Sequence, residues 1–183
     1  MHALATLYLL DGQPDKAIPL LEHVVEARRH TLADEHPDRL ASMWKLGRAY
    51  RERGQLNEAV ALLEEVVSTE KRMRVPEDPF RLNSMVELAE AYVANGQFNE
   101  ALVLLDQVVE VMRRTLAEEN PRRLSSEHSL ACLLWDLERQ SDALQLLTHV
   151  VRVRKNVGDR DGQDLKRAEE DLEYLRSEMT SSL

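Results

Sequence analysis

The chain has 183 residues, and its low aromatic content (4%), six glycines and 31% charged residues favour long helices over a β-sandwich or barrel. Its net charge of -9 argues against a nucleic-acid partner, and no run approaches the ~18 uncharged apolar residues that a membrane span needs. Since Cys132 is the single cysteine and Met1-His2 does not open a signal peptide, we expect a cytoplasmic protein.

A leucine followed by a small residue recurs along the chain at a constant spacing. The step from position 4 to position 46 is 42 residues (46 − 4), and two further steps of the same length reach 88 and 130. The four copies are Leu4-Ala5, Leu46-Gly47, Leu88-Ala89 and Leu130-Ala131. A fixed period of this size is the signature of a repeat protein, in which neighbouring units bury each other's apolar faces.

Each unit reads as a pair of helices. The prolines at 37, 79 and 121 suit the first turn of a helix, and the preceding Asp78 and Asn120 can cap its free N–H groups. Gly54 and Gly96 predict the end of the first helix, because glycine readily adopts the left-handed backbone conformation that commonly ends a helix. The second helix carries an apolar stripe at i, i+3, i+4 and i+7, which in the second unit comprises Ala59, Leu62, Leu63, Val66, Val67 and Val75.

The C-terminal part departs from this pattern. Gly158 and Gly162 replace the proline turn, and a stripe from Leu165 to Met179 has a charged opposite face. We therefore predict a cap helix over about 163–179 and a frayed tail over 180–183. The whole would be one domain over 1–179, with helix-pair units at about 1–36, 37–78, 79–120 and 121–162.

The motif Leu-Gly/Ala-x-x-Tyr, followed by Gly and Ala, resembles the tetratricopeptide repeat, whose usual period is about 34 residues. The longer period and the His-Pro-Asp or Asn-Pro turn are similar to the repeats of kinesin light chains. The segment 31–42, repeated with changes at 115–126, looks most like the C-terminal arrays of fungal NB-ARC or NACHT receptor-like proteins. The resemblance implies an all-α fold, a right-handed α-α superhelical solenoid of about four helix pairs plus a cap helix. It also implies a protein–protein interaction scaffold, the sensor or ligand-binding part of a larger receptor-like protein.

Residues that could carry chemistry are few. No phosphate-binding Gly-Lys-Ser/Thr loop is present, which argues against nucleotide handling. His128 and Cys132 are four apart on one helix and could form a nucleophile–base pair or two metal ligands. Because the sequence indicates no third ligand and no orienting carboxylate, we expect no catalytic residue, no metal, no cofactor and no enzyme activity.

A binding groove is the stronger expectation. In tetratricopeptide arrays the first helices line the concave surface, and carrying that geometry over gives a set of groove residues: Trp44, Lys45, Arg48, Arg51, Val86, Glu90, Val93, His128 and Trp135. Trp and Arg often anchor interfaces. The basic side chains in an acidic protein predict an acidic partner with an aromatic or large apolar anchor, whose carboxylates face Arg48 and Arg51. The alternatives are that the two tryptophans only pack between helices, and that the chain is a structural spacer or self-association module without a peptide ligand.

The N-terminal end is expected to be uncapped. Met1 aligns with Met43, so counterparts of residues 37–42 are absent and Leu4, Leu7, Leu9 and Leu10 would face solvent. We expect upstream repeats to cover this face in a longer protein, or a second copy to cover it in a homodimer.

Overall fold

A computed structural model describes residues 1–157 and 162–181 of the chain. These residues form helices and no strand. The helices are α1 (His2–Leu10), α2 (Pro14–Thr31), α3 (Pro37–Arg53), α4 (Leu56–Met73), α5 (Pro79–Ala94), α6 (Phe98–Thr115), α7 (Pro121–Asp136), α8 (Gln140–Val157) and α9 (Gln163–Ser181). The all-α organisation in helix pairs that the 42-residue period predicts is confirmed. None of these described helices is both long and apolar enough to cross a membrane.

The helices that begin at a proline are capped by the residue before it. The carboxylate of Asp78 and the side-chain oxygen of Asn120 each accept hydrogen bonds from the backbone N–H groups two and three residues further on. His36 accepts one such bond, through Nδ1, from the backbone N–H of Asp38 at 3.1 Å. These bonds satisfy N–H groups that the first helical turn leaves free, as the sequence predicts.

An arginine that is buried or half-buried closes each proline turn. Arg39, Arg81 and Arg123 occupy one repeat position, 42 residues apart. Each guanidinium reaches back seven residues and donates to a backbone carbonyl at the end of the preceding helix, with acceptors Leu32, Arg74 and Leu116 at 3.3, 3.0 and 3.2 Å. The same contact therefore fixes the angle between consecutive helices three times.

One unit of the structure comprises Met1–Gln97. Within it α1 to α5 pack in sequence, and the first helices of successive pairs also contact each other, α1 with α3 and α3 with α5. The helices approach closely at small residues: Ala5, Ala17 and Ala59 are fully buried. A Cβ at Gly47 would lie 2.7 Å from Leu63 Cγ, so α3 and α4 are in contact at this glycine.

The other unit comprises Phe98–Leu183. Here α9 packs on α8 and α7, with Ala168, Leu172 and Leu175 buried along its stripe. The helix begins at Gln163 and runs to Ser181, two residues beyond the expected end of the cap helix. Gly158 and the last two positions of the expected frayed tail, 182–183, lie outside the described residues. The single domain over 1–179 and its repeat boundaries stay a prediction.

Candidate functional site

A pocket of about 660 Å³ opens between α3 and α5, with the C-terminal end of α4 as its floor. We call it the α3–α5 pocket and define it by its principal lining residues, Leu40, Ala41, Trp44, Lys45, Phe80 and Ser84. The proline turns determine this site, because they bring the N-terminal halves of two successive first helices side by side. Its surface is mainly apolar with a few polar groups, which is typical of ligand pockets.

Two aromatic side chains supply the apolar surface. Trp44 is half-buried on α3, and Phe80 on α5 is 66% exposed. The Arg74 guanidinium lies 5.1 Å from the centre of the Phe80 ring. The indole N–H of Trp44 is buried and has no acceptor within the described part of the chain, although a buried tryptophan N–H usually finds one.

A basic cluster formed by Lys45, Arg28 and His2 lies at the α3 side of the pocket. The Lys45 ammonium donates to Thr6 Oγ1 at 2.8 Å, and no carboxylate pairs with it among the described residues. Burial and the nearby Arg28 lower the pKa of Lys45. Burial, Lys45 and Arg28 likewise lower the pKa of His2. The cluster therefore concentrates positive charge in a protein whose net charge is -9.

Asp38 only partly balances this cluster. Arg28 donates to the backbone carbonyl of Asp38 at 2.6 Å, and the negative charge of Asp38 acts on His2 to raise its pKa against the larger lowering effects. A carboxylate brought by a ligand would find an unpaired ammonium in a partly desolvated position, where attraction is stronger than in bulk water.

The floor of the pocket holds a buried acid, Glu70. Burial raises the pKa of its carboxyl, against the opposing effects of a hydrogen bond with Ser84 and the charge of Arg74. The Oε2 atom of Glu70 has no hydrogen-bond donor among the described residues, and Arg74 Nε lies 3.6 Å from Oε1. Glu70 lies in the last turn of α4 and lines the pocket whose opening is apolar.

Arg48 and Arg51 differ from the sequence expectation that they face a ligand's carboxylates. Arg48 Nε lies 2.7 Å from the Glu52 carboxylate on the same helix. The Arg51 guanidinium lies 2.8 Å from Glu87 and 2.9 Å from Glu90 of α5. Both arginines already have carboxylate partners within the protein, whereas Lys45 and Arg28 of the basic cluster have none among the described residues.

The other groove residues predicted in this unit lie further along α5. Val86 and Val93 are half-buried, and Glu90 is the ion-pair partner of Arg51. Sequence reasoning missed Phe80 as a pocket residue. An aromatic side chain directly after the helix-opening proline, where a polar residue is usual, is the signal that could have identified it.

The two remaining groove residues lie on α7. Trp135 is half-buried. His128 is only 8% exposed, and its Nε2 lies 2.7 Å from the Asp171 carboxylate of α9. The cap helix therefore supplies the orienting carboxylate that we did not find in the sequence. Asp171 flanks the apolar stripe of α9 beside Leu172, and that position is the signal that could have indicated its inward contact.

Cys132 lies one turn after His128 and is half-buried. Burial, with Asp171 as the next cause, raises the pKa of its thiol to about 11. The thiol is therefore protonated at neutral pH, whereas a catalytic cysteine needs a thiolate. The pair does not have the electrostatics of an activated nucleophile.

Comparison with known proteins agrees with this architecture. A tetratricopeptide repeat family model matches residues 1–69 and 80–156. A Podosopora anserina protein, whose solved structure is described as having kinesin light chain nearly identical TPR-like repeats, is 38% identical. That match covers 97% of this chain and 94% of the other with a TM-score of 0.78. No curated protein shows significant similarity to the sequence.

Two more distant structures share the fold alone. BtubC (BKLC) from P. vanneervenii is 20% identical, with a TM-score of 0.80 over 95% of this chain and 69% of that one. The apo form of RapI is 10% identical, with a TM-score of 0.82 over 98% of this chain and 63% of that one. Together with the helix pairs, these matches confirm the all-α superhelical repeat fold class. Such repeats are generally protein–protein interaction scaffolds, and the family is generally non-enzymatic. The chain belongs to the tetratricopeptide repeat family, and its repeats are similar to those of kinesin light chains.

Proposed function

We propose that the chain is a protein-interaction scaffold that binds an acidic peptide or protein segment through the α3–α5 pocket. The observation that carries this proposal is the Lys45 ammonium, which has no carboxylate partner among the described residues and lies beside the half-buried ring of Trp44. An aspartate or glutamate of the partner would pair with Lys45 and offset the repulsion within the basic cluster.

The same partner should carry an aromatic or large apolar anchor. Trp44 and the exposed Phe80 give the pocket an apolar surface on both helices. Burying a large apolar side chain contributes about 1.5–3 kcal/mol. An acidic segment with one such anchor combines the two features. The net charge of -9 opposes the approach of any acidic segment, so the apolar anchor is needed to offset that repulsion.

The likeness of segments 31–42 and 115–126 to fungal receptor-like arrays supports a wider proposal. In that setting the scaffold would be the ligand-binding part of a larger, cytoplasmic receptor-like protein. The pocket would then recognise a protein segment, without any reaction taking place at it.

Fluorescence anisotropy with a pool of labelled acidic peptides, each carrying one phenylalanine, tests the pocket. We expect Lys45→Ala to weaken binding on the order of tenfold, which corresponds to about 1.4 kcal/mol. The matched control is Lys16→Ala, which removes an exposed lysine on α2. Affinity should also fall as salt rises, because exposed charges are screened over ~8–10 Å at physiological ionic strength. Equal affinities for the two variants would contradict the proposal.

Self-association is a second candidate function, favoured by a different surface. Leu4, Leu7 and Leu10 of α1 are 46%, 61% and 77% exposed, whereas Leu9, which the sequence also placed on this face, is buried in the core. Apart from His2, α1 has no basic and no acidic side chain of Lys, Arg, Asp or Glu type, so this face offers little to select a charged partner. An apolar face of this kind is complementary to itself, and we propose a second copy of the chain as its occupant.

Light scattering over a concentration series tests this second candidate. We expect the wild-type mass to rise with concentration and the Leu7→Glu variant to stay monomeric, because a charge at the centre of the face must lose its hydration on contact. Val103→Glu, at an exposed position on α6, is the control. A monomeric wild type at the highest concentration would exclude self-association through α1.

A further inference from the structure

We propose that His128, Cys132 and Asp171 form a binding site for Zn²⁺ or a divalent transition metal of similar preference. Each residue offers one ligand atom, and the three atoms all lie within 4.8 Å of one another. The His128 Nε2 and Asp171 Oδ2 atoms are 2.7 Å apart. Two ligands thus come from one face of α7, and the third comes from the packed helix α9.

The donor set selects the metal. Imidazole and thiolate favour zinc over magnesium or calcium, and a carboxylate is an accepted third ligand. Metal–ligand distances of about 2.0–2.3 Å place the ligand atoms of a tetrahedral site roughly 3.3–3.6 Å apart. The three side chains therefore need only rotamer adjustments to reach a metal. With three protein ligands, the fourth position would remain for a water molecule.

The surroundings leave the site accessible and nearly neutral in charge. The His128 side chain is 10% exposed and that of Asp171 is 38% exposed, so a metal would approach from the Asp171 side. Asp136 and Arg167 also act on the Cys132 thiol, with opposite signs. Arg154, which acts on His128, is hydrogen-bonded to the Asp164 carbonyl.

Metal binding displaces the protons that two of the ligand atoms, Cys132 Sγ and His128 Nε2, carry without the metal. The Cys132 thiol loses its proton to solvent as the metal–sulfur bond forms. The proton that His128 Nε2 shares with the Asp171 carboxylate moves by way of solvent to Nδ1, so that Nε2 of the neutral imidazole and the carboxylate can both bind the metal. Affinity should therefore rise with pH, with about one proton released from the thiol per metal bound. If these residues served only to hold α9 against α7, the hydrogen bond between His128 and Asp171 would be sufficient, and no thiol would be needed beside it.

Titration of the full chain with Co²⁺, followed by displacement with Zn²⁺, tests the site. We expect a thiolate-to-cobalt charge-transfer band that disappears when Zn²⁺ is added, and a Tm that rises with Zn²⁺. Cys132→Ser is nearly isosteric, and it should abolish the band and weaken Zn²⁺ affinity on the order of 100-fold. Asp171→Asn, which keeps a polar group against His128, should weaken affinity by roughly tenfold. Circular dichroism of the metal-free variants checks that each is folded.

The control is the exposed pair His30–Glu26 on α2, which matches the imidazole–carboxylate arrangement at 2.8 Å without a nearby cysteine. His30→Asn should leave cobalt and zinc binding unchanged. A wild type without the charge-transfer band, or zinc affinity that Cys132→Ser does not alter, would overturn the proposal. Loss of binding in His30→Asn would do the same.

Discussion

At the end of α7, Glu138 adopts the left-handed backbone conformation, with φ of 60°. At the equivalent repeat positions Gly54 and Gly96 have φ of 84° and 77°. A side chain in this region costs energy that glycine avoids. We expect Glu138→Gly to raise the free energy of unfolding by about 0.5–1 kcal/mol, measured by urea denaturation. Glu138→Ala keeps a Cβ and should give no gain, and equal stability of the two variants would contradict this explanation.

The buried Glu70 predicts a pH-dependent stability. Its folded-state pKa is raised, mainly by burial, so its protonated form is favoured by folding. The stability that this group contributes is present below its unfolded pKa and is lost as pH rises through the folded value. Glu70→Gln should therefore be more stable than the wild type at pH 7, and the difference should shrink as the pH falls from 7 to about 4.5 and stay constant below that pH.

Denaturation of both proteins at several pH values measures that difference. The groups that face Glu70 are Arg74, Arg81 and Asp78. They are present in both proteins, so the comparison isolates the change at position 70. An advantage of the variant that grows as the pH falls would reverse the expected sign.

Local contacts were predictable from the sequence, whereas contacts between helices were not. The caps at Asp78 and Asn120 follow from neighbouring residues, and their hydrogen bonds are observed. The partners of Arg51 lie on the next first helix, 36 residues away in the case of Glu87. A repeat pattern places helices side by side but does not say which charged side chains meet across them.

At the scale of helices, the fully buried alanines determine how closely a pair can pack. Ala59 on α4 is 0% exposed, whereas Ala61 on the same helix is exposed. Ala59→Leu should cost on the order of 1–3 kcal/mol through overpacking. Ala61→Leu is the control and should change stability by less than about 0.5 kcal/mol. Equal melting temperatures for the two variants would show that the repeat register is wrong.

Tyrosines supply a second contact between repeats. The hydroxyls of Tyr50 and Tyr92 donate to Glu22 and Glu64, each 28 residues earlier, at 2.8 and 2.6 Å. Burial, followed by the Glu22 contact, raises the pKa of Tyr50. The sequence shows these tyrosines only as a recurring position of the motif Leu-Gly/Ala-x-x-Tyr. The glutamate partner became visible only once the helices were placed.

At the scale of the whole molecule, the period of 42 residues was enough to predict the fold, because the same apolar and capping positions recur in register. The site was predictable only in part. Trp44 and Lys45, two of the predicted groove residues, line the α3–α5 pocket, whereas Asp171, which was not predicted, contacts His128 from a helix that follows the repeats. The charges that remain unpaired depend on helix packing, which residue spacing alone does not determine.

The most direct test of the binding proposal uses the two tryptophans of the chain, Trp44 and Trp135. Their indole N–H groups give two NMR signals, and the Lys45→Ala variant provides the control. We expect the acidic phenylalanine peptides to shift the Trp44 signal in the wild type, and to shift it much less in Lys45→Ala at the same peptide concentration. A Trp44 signal that stays fixed while the peptide binds would contradict binding at the α3–α5 pocket.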